Sequence, residues 1–396
     1  MNTTPSSRSA ALDNLRSFIT LLVITHHAVL AYFPYAPEPG AFDVWLVWGG
    51  FPIIDAARGK GLDLLVLWND SFFMALMFLL SGLFVGPSLA RKGAGRFVRD
   101  RLLRLGLPFV VGAAVLAPLA YYPAYLQRAA ATEAESFWAA WLALGRWPAG
   151  PVWFLWVLLV FGVLAALVQR FAPRALERLG ALGVWCRERP LRGFGVLLGL
   201  GVASYLPLTW VYDPAHWLSW GPFFVQSSRM GFYLAYFVFG IALGQRGGLG
   251  RDLAAADGRL ARQWGWWQGG LWLAFGLFVT ALIFSLLRLE KGEPSVFWNN
   301  AAAVLMTVSC ATTSYCLLSY FAKKRSGANR WWTSLSRNAF GMYVIHYAVV
   351  TWLQYCLLEV VWPGLLKALV VTVSAIAVSW ILAAGLRRLP GVGRIL

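Results

Sequence analysis

Apolar residues recur in long blocks from Leu15 to Leu386, and polar residues gather in the stretches between them. A helix that crosses the hydrocarbon core of a bilayer needs about 20 mostly apolar residues. Stretches of that kind lie at 15–36, 70–90, 102–126, 151–169, 193–212, 228–245, 265–287, 298–322, 335–358 and 364–386. The pattern predicts an all-α, polytopic membrane bundle of about ten transmembrane helices. The fifth and sixth stretches are the least regular, because Pro207, Pro214 and Pro222 interrupt them. The block from Leu15 is too long for a secretory h-region and no small-residue cleavage site follows it, so it reads as the first spanning helix. No polar linker, internal repeat or low-complexity tail divides the chain, and one membrane domain over residues 1–396 is expected.

Composition agrees: 59% of the residues are hydrophobic and 13% charged, about half the charged share of a soluble domain. The net charge of +17 raises the question of nucleic acid. The placement of the charge answers it. With the N-terminus inside, 26 of the 34 Lys and Arg residues fall in alternate segments, through Arg16, 91–104, 170–192, 246–262, 323–337 and after residue 386. The other 8 are scattered over the opposite side, which also holds 11 of the 17 acids. A nucleic-acid surface has no reason to alternate in this way, whereas membrane topology does. Both termini of a multi-pass membrane protein are therefore expected in the cytoplasm, with the bilayer and not nucleic acid as partner. The four cysteines form no CxxC pair, and only four histidines are present, so neither a disulfide framework nor a metal site is expected.

The first outside loop, about 37–69, is long and carries Glu38, Asp43, Asp55 and Asp63. It reads either as a solvated linker or as a cover over an outward-facing cavity. Most of the 22 tryptophans, Trp264, Trp266, Trp267, Trp331 and Trp332 among them, suit interfacial belts, and a few suit stacking on sugar rings.

Ionisable residues within spans are costly and point to function. The first span reads Leu12-Asp13-Asn14-Leu15-Arg16, then apolar residues, then His26-His27. Eleven residues from Arg16 to His27 make about three turns plus 20°, which puts both on one helix face about 16 Å apart. A neutral histidine at that depth can take or give a proton, its ordinary pKa being about 6.5. The plainer reading is a histidine tied to a neighbouring helix. Arg101 and Arg104, with Arg99 and Arg96 beside them, form a basic patch where the third helix enters the membrane. Guanidinium forks suit phosphates, while topology and snorkelling account for basic residues further out. His346 lies about ten residues from the cytoplasmic side of the ninth span, a depth similar to that of His27. Asp13, Arg229 and Glu359 are further polar residues near span ends, best read as interface anchors. No Gly-rich phosphate loop, GxSxG elbow or HExxH is present.

These residues together resemble the membrane acyltransferase-3 family. Arg16 with ten intervening residues before His27 is similar to its opening signature, although Asn14 stands where Gly is usual. Arg101-x-x-Arg104 with Pro108 is similar to its second motif. Phe78-Leu79-Leu80-Ser81-Gly82 resembles its Phe-rich run, Trp153-Phe154-Leu155 its fourth-helix start, and Phe340 to His346 its late Tyr-x-x-His segment. The stretch from Met74 to Gly82 looks closest to the branch of periplasmic-glucan succinyl-modifying proteins. The resemblance implies a membrane O-acyltransferase that moves an acyl group, acetyl or else succinyl, from cytoplasmic acyl-CoA to a hydroxyl of an envelope or exported carbohydrate. No tightly bound cofactor is implied, because acyl-CoA is a donor substrate. Some relatives carry an extracytoplasmic SGNH-type domain, and none is expected here. His27, Arg16 and Asp13 become the expected catalytic residues, and Arg101, Arg104 and Arg99 the expected binders of acyl-CoA. Tyr343, Ser81, Trp153 and His346 are further candidates, with Ser81, Tyr343 or Asn338 near a developing oxyanion. His27 acts either as general base or as a transient acyl carrier. The alternative from another class is a proton-coupled transporter, which would show paired repeats and broken helices.

Overall fold

The computed structural model describes residues 10–36, 50–129, 136–214, 216–245, 253–327 and 329–396. The chain is all-α apart from one hairpin. Its main helices are α1 (Ala10–Leu30), α2 (Leu62–Gly82), α3 (Val85–Lys92), α4 (Ala94–Arg128), α5 (Phe137–Ala143), α6 (Trp153–Phe171), α7 (Pro173–Glu188) and α8 (Pro190–Val211). After the hairpin come α9 (Met230–Gly244), α10 (Arg259–Arg262), α11 (Trp264–Glu290), α12 (Val296–Lys324), α13 (Arg330–Cys356) and α14 (Gly364–Leu386). A helix occupies each stretch expected to span. Among the described residues, 7 helical runs are long and apolar enough to cross a membrane: Leu62–Lys92, Ala94–Arg128, Gly150–Phe171, Pro190–Val211, Trp264–Glu290, Val296–Lys324 and Gly364–Leu386. The others differ for identifiable reasons. α9 has 15 residues, while α1 and α13 carry the charged and imidazole side chains of the site.

Several boundaries moved. α1 ends at Leu30, and residues 31–36 turn back instead of continuing the span. α2 begins at Leu62 because the Leu-Asp-Leu-Leu-Val-Leu run continues its apolar pattern outward past the expected start at 70. The irregular prolines split into two roles. Pro207 stays inside α8. Pro222 joins Gly221 in the two-residue turn between β1 (Trp217–Trp220) and β2 (Phe223–Gln226), which pair antiparallel with Trp220 opposite Phe223. Gly221 has φ +54°, the sign a type II′ turn demands at its first central position.

α4 widens twice into π-helical turns, over Leu102–Gly106 and Gly112–Leu116. Each wide turn closes with the N–H of the residue just before a proline, Leu107 before Pro108 and Ala117 before Pro118. A proline ring clashes with the carbonyl four residues earlier and has no N–H to offer, so the wider turn accommodates both defects. The carbonyls left over find indoles. Trp147 Nε1 donates to Ala113 O (2.7 Å), and Trp352 Nε1 donates to Leu119 O (3.1 Å), the carbonyl that Pro123 cannot serve. A lone unmet carbonyl in hydrocarbon costs several kcal/mol, and these two tryptophans act here as donors rather than as belt residues. Of the belt tryptophans, Trp266 and Trp331 are exposed, whereas Trp267 is buried against Phe194 and Tyr315.

The main apolar cluster runs through α1, α2, α6, α9, α12 and α13, and a second, smaller one joins α4, α5 and α13 around Tyr121, Trp141 and Tyr347. One close crossing is α2 on α9. A Cβ at Gly82 would strike the Phe237 carbonyl, and one at Gly240 or Gly244 would strike the carbonyl of Leu79 or Leu83. Small residues at that spacing let two membrane helices approach backbone to backbone. Near the same end, Arg187 is buried and donates to the Leu243 and Gln245 carbonyls, capping α9. It belongs to the fold, although its charge also fits the alternation along the chain.

The described part of the first loop is a fitted cover. Gln127 pairs with both backbone groups of Ile54, donating to its carbonyl (2.5 Å) and accepting from its N–H (3.2 Å). Arg128 donates to Pro52 O (2.9 Å). Asp55 and Lys367, each side chain 2% exposed, form an ion pair at 2.7 Å. Lys367 is therefore a buried partner of the loop and not a solvated outside charge. The remainder of that loop, 37–49, with Glu38 and Asp43, lies outside the described residues.

Candidate active site

The site is organised by α1. Arg16 is held on three sides: Nη2 donates to Leu80 O at 3.0 Å, the guanidinium lies 4.1 Å from the Phe84 ring centre, and Asp13 is 4.0 Å away. The first two contacts come from α2 and the turn after it, so the Phe-rich run serves partly to fix Arg16. The guanidinium opens into a cavity of about 1100 Å³ that is also lined by Asp13, Ser81, Arg101, Arg104 and Tyr343. Arg91 and Lys92 stand at the same cavity, where Lys92 is paired with Asp100 at 2.5 Å. The Arg101 guanidinium lies 5.0 Å from the Phe97 ring centre and is half-buried, whereas Arg104, in the first wide turn of α4, is exposed. A basic cavity of this size is large even for a cofactor pocket, which is usually about 300–1,000 Å³.

Three expected residues are placed elsewhere. Arg99 is exposed and does not line the cavity. Trp153 is packed edge-on against Trp217 at 5.7 Å and lies near Tyr233, in the core rather than at the cavity wall. The Asn338 amide is occupied, donating to Ser334 O (2.9 Å) and accepting from Arg387 (3.4 Å). Aromatic and amide residues read well as motif members, but only packing shows which way they face.

The inner wall of the cavity is formed by Thr20, Met77, Phe154 and Tyr343. The Tyr343 hydroxyl donates across it to the Pro151 carbonyl. His27 and His346 lie beyond. Their rings are 5.0 Å apart, with His346 Nε2 3.3 Å from His27 Nδ1. His346 is fully buried, and His27 is partly exposed and packs edge-on against Tyr347 at 5.2 Å. From Arg16 to His27 the rise is about 16 Å, and His27 stands one turn from the C-terminal end of α1, which stops at Leu30.

The hydrogen bonds assign the protons. His346 Nδ1 faces the Tyr343 carbonyl at 2.6 Å, and His27 Nδ1 faces the Val23 carbonyl at 2.8 Å. A carbonyl only accepts, so both Nδ1 atoms carry hydrogen. His346 Nε2 is then a lone pair directed at the His27 Nδ1–H, and His27 Nε2 is left as the free basic nitrogen. Gln354 donates to the His27 and Ala28 carbonyls (2.8 and 3.1 Å), holding the end of α1 against α13. Spacing alone could not reveal Gln354 or the pairing of the two histidines.

Nor did it reveal the pair between Asp70 and Arg229. Arg229 is no interface anchor: Nη2 meets Asp70 Oδ2 at 2.6 Å and Nη1 donates to Asp70 O at 2.9 Å. Asp70 stood at the first residue of the expected second span, where an acid reads as a boundary marker. Glu359 remains exposed.

An acyltransferase domain matches residues 9–384 of the chain. Similar proteins include the Glucans biosynthesis protein C of Escherichia coli (strain SMS-3-5 / SECEC) and that of Escherichia coli O157:H7. Each is 26% identical over 250 residues, covering 61% of this chain and 59% of the relative. The chain thus spans about three-fifths of the length of the curated relatives it matches. No solved structure matches it.

Proposed function

Because the chain belongs to the acyltransferase-3 family, we propose that it is a membrane O-acyltransferase that moves an acetyl group from cytoplasmic acetyl-CoA to a hydroxyl of an envelope carbohydrate. The carbohydrate half of this reading is supported by the name of the similar proteins, which refers to glucans. The observation that carries the acyl-transfer half is a histidine with a free Nε2, held by a second histidine, beyond the Tyr343 wall of a basic cavity. In the same reading ten helices span the inner membrane, both termini are cytoplasmic, and the basic cavity faces the cytoplasm. The 26-to-8 division of basic residues supports that orientation. A reporter fused after Leu396 is expected on the cytoplasmic side, and finding it outside would overturn the topology.

Arg101 and Arg104 take the phosphates of the donor, and Arg16, fixed by Leu80 and Phe84, positions its pantetheine arm. The arm reaches His27 past Tyr343 once the hydroxyl bond to Pro151, which closes the inner wall, is released. His27 Nε2 then takes the proton of the acceptor hydroxyl as its oxygen attacks the thioester carbonyl. The C–S bond breaks, and the proton passes from His27 to the departing thiolate, so that ester and free coenzyme A leave. Ser81 lines the donor cavity and helps seat the arm. No metal takes part in this reading, and among the described residues no group of three or more His, Cys, Asp and Glu could hold one.

The test is coenzyme A release from acetyl-CoA by purified protein, with and without a panel of envelope glycans, beside His27→Ala. Acceptor-dependent release that disappears in the variant supports the reading. A wild-type protein that neither binds nor turns over acetyl-CoA or succinyl-CoA with any acceptor overturns it.

A further inference from the structure

The Asp70–Arg229 pair lies away from the donor cavity. On α2, Asp70 precedes the cavity residue Ser81 by eleven positions, about 16 Å along the helix. The two partners are unequally covered: the Arg229 side chain is 11% exposed and the Asp70 side chain 42%. Arg229 grips one carboxylate oxygen and the Asp70 backbone. The second carboxylate oxygen makes no hydrogen bond among the described residues. With its side chain 42% exposed, Asp70 keeps that oxygen available to a polar partner.

The pair lies one turn from the histidines: His26 packs 5.1 Å from the ring of Phe73, one turn on from Asp70, and its own ring lies 5.3 Å from that of His27. His26 Nδ1 is buried with no hydrogen-bond partner, and so are both amide atoms of Asn69 and the Ser228 hydroxyl, beside Asp70 and Arg229 in the chain. Asn69 and Ser228 are fully buried. Buried polar atoms are nearly always partnered, and the His26 nitrogen beside His27 is left for a partner that the described residues do not supply.

We propose that Asp70, held by Arg229, forms with His26 the acceptor subsite, which receives paired hydroxyls of a carbohydrate on the flank of His27 away from the donor cavity. A hydroxyl donates and accepts at once. One hydroxyl donates to the open Asp70 oxygen, and its neighbour meets the imidazole of His26, which brings the reacting oxygen to His27. Asp70 is a binding residue here, and Arg229 positions it. This rests on the acyl-transfer reading above.

The test uses the full chain with Cys356→Ser, since the other three cysteines are buried. Asp70→Cys is exposed to a membrane-impermeant thiol reagent in right-side-out and in inverted vesicles, and Arg101→Cys marks the donor side. Asp70→Cys is expected to react from the side opposite to Arg101→Cys, and glucan oligosaccharides are expected to slow the reaction several-fold, equally in a His27→Ala background. Asp70→Asn, which keeps the side-chain shape, is expected to weaken oligosaccharide binding about tenfold or more while acetyl-CoA binding stays within about twofold. Labelling from the Arg101 side, no labelling of a folded protein, no slowing by any oligosaccharide, or unchanged binding in Asp70→Asn would each overturn the proposal. If acyl transfer were the mistaken part, oligosaccharide protection would persist while no oligosaccharide became acylated.

Discussion

His346 and His27 meet at 3.3 Å, Nε2 to Nδ1, although 319 positions separate them in the chain. The Tyr343 carbonyl fixes the proton on His346 Nδ1, and that makes His346 an acceptor for His27. Together with the Val23 carbonyl, which takes the same Nδ1 hydrogen at 2.8 Å, the pair sets one tautomer of His27. His346 acts through His27 and not on the substrate. His27→Ala is expected to lower kcat by about 10²–10⁴, the usual contribution of a positioned base. His346→Ala is expected to lose less, about 10–100-fold, with KM for acetyl-CoA nearly unchanged. His346→Asn, which retains a carbonyl acceptor, is expected to recover part of the loss. A variant series in which His346→Ala raises KM and spares kcat would contradict a positioning role.

The donor cavity separates the arginines of the basic patch. Arg101 and Arg104 line it and Arg99 does not. Charge-assisted bonds to phosphate contribute about 1.5–3 kcal/mol each, so Arg101→Ala and Arg104→Ala are each expected to weaken coenzyme A binding about 10–100-fold. Arg99→Ala is expected to bind it as the wild type does. The comparison ligand is pantetheine, which lacks the nucleotide phosphates. If these arginines hold phosphate, its affinity is insensitive to all three substitutions, as titration calorimetry would show directly.

The division between Arg101 and Arg99 also marks how far the chain alone could be read. The helices and the Arg16–His27 spacing are legible because a single helix has a fixed period, and the basic cavity follows from residues close in sequence. The facing of Arg99 and Trp153 depends on neighbouring helices and has no such signature. The hairpin at Trp217–Gln226 sits in a proline-rich connector where no helical pattern exists to fail. The wide turns of α4 were implicit in Pro108 and Pro118, but their compensation by Trp147 and Trp352 was not. Pairings such as Asp70 with Arg229 join residues that look like ordinary boundary charges when each is read in its own segment.

The loop latch shows the same long reach in its energetics. Asp55 and Lys367 are both buried, so removing one partner leaves the other as an uncompensated charge, at a cost of about 3–5 kcal/mol. Asp55→Ala and Lys367→Ala are each expected to lower the unfolding temperature clearly. Replacing both with apolar residues, Asp55→Leu with Lys367→Met, is expected to restore much of the loss. A thermal double-mutant cycle measures this coupling. If the two single losses simply add in the double variant, the pair is not a unit.

The close crossing of α2 and α9 makes a sharper demand on shape. Gly240 faces the Leu79 carbonyl and Gly82 faces that of Phe237, so backbone rather than flexible side chain occupies the space a Cβ would need. Leu80, whose carbonyl receives the Arg16 guanidinium, lies between those contacts. Gly240→Val should therefore push α2 away and shift the Arg16 anchor with it, besides destabilising the bundle by the few kcal/mol typical of overpacking. In detergent the variant is expected to unfold at lower temperature, and its surviving folded fraction to bind coenzyme A more weakly than the wild type. Gly276→Val, on α11 where a Cβ meets open space, is the control for adding bulk to a membrane helix. Equal behaviour of the two variants would mean that the α2–α9 contact is not what holds Arg16 in place.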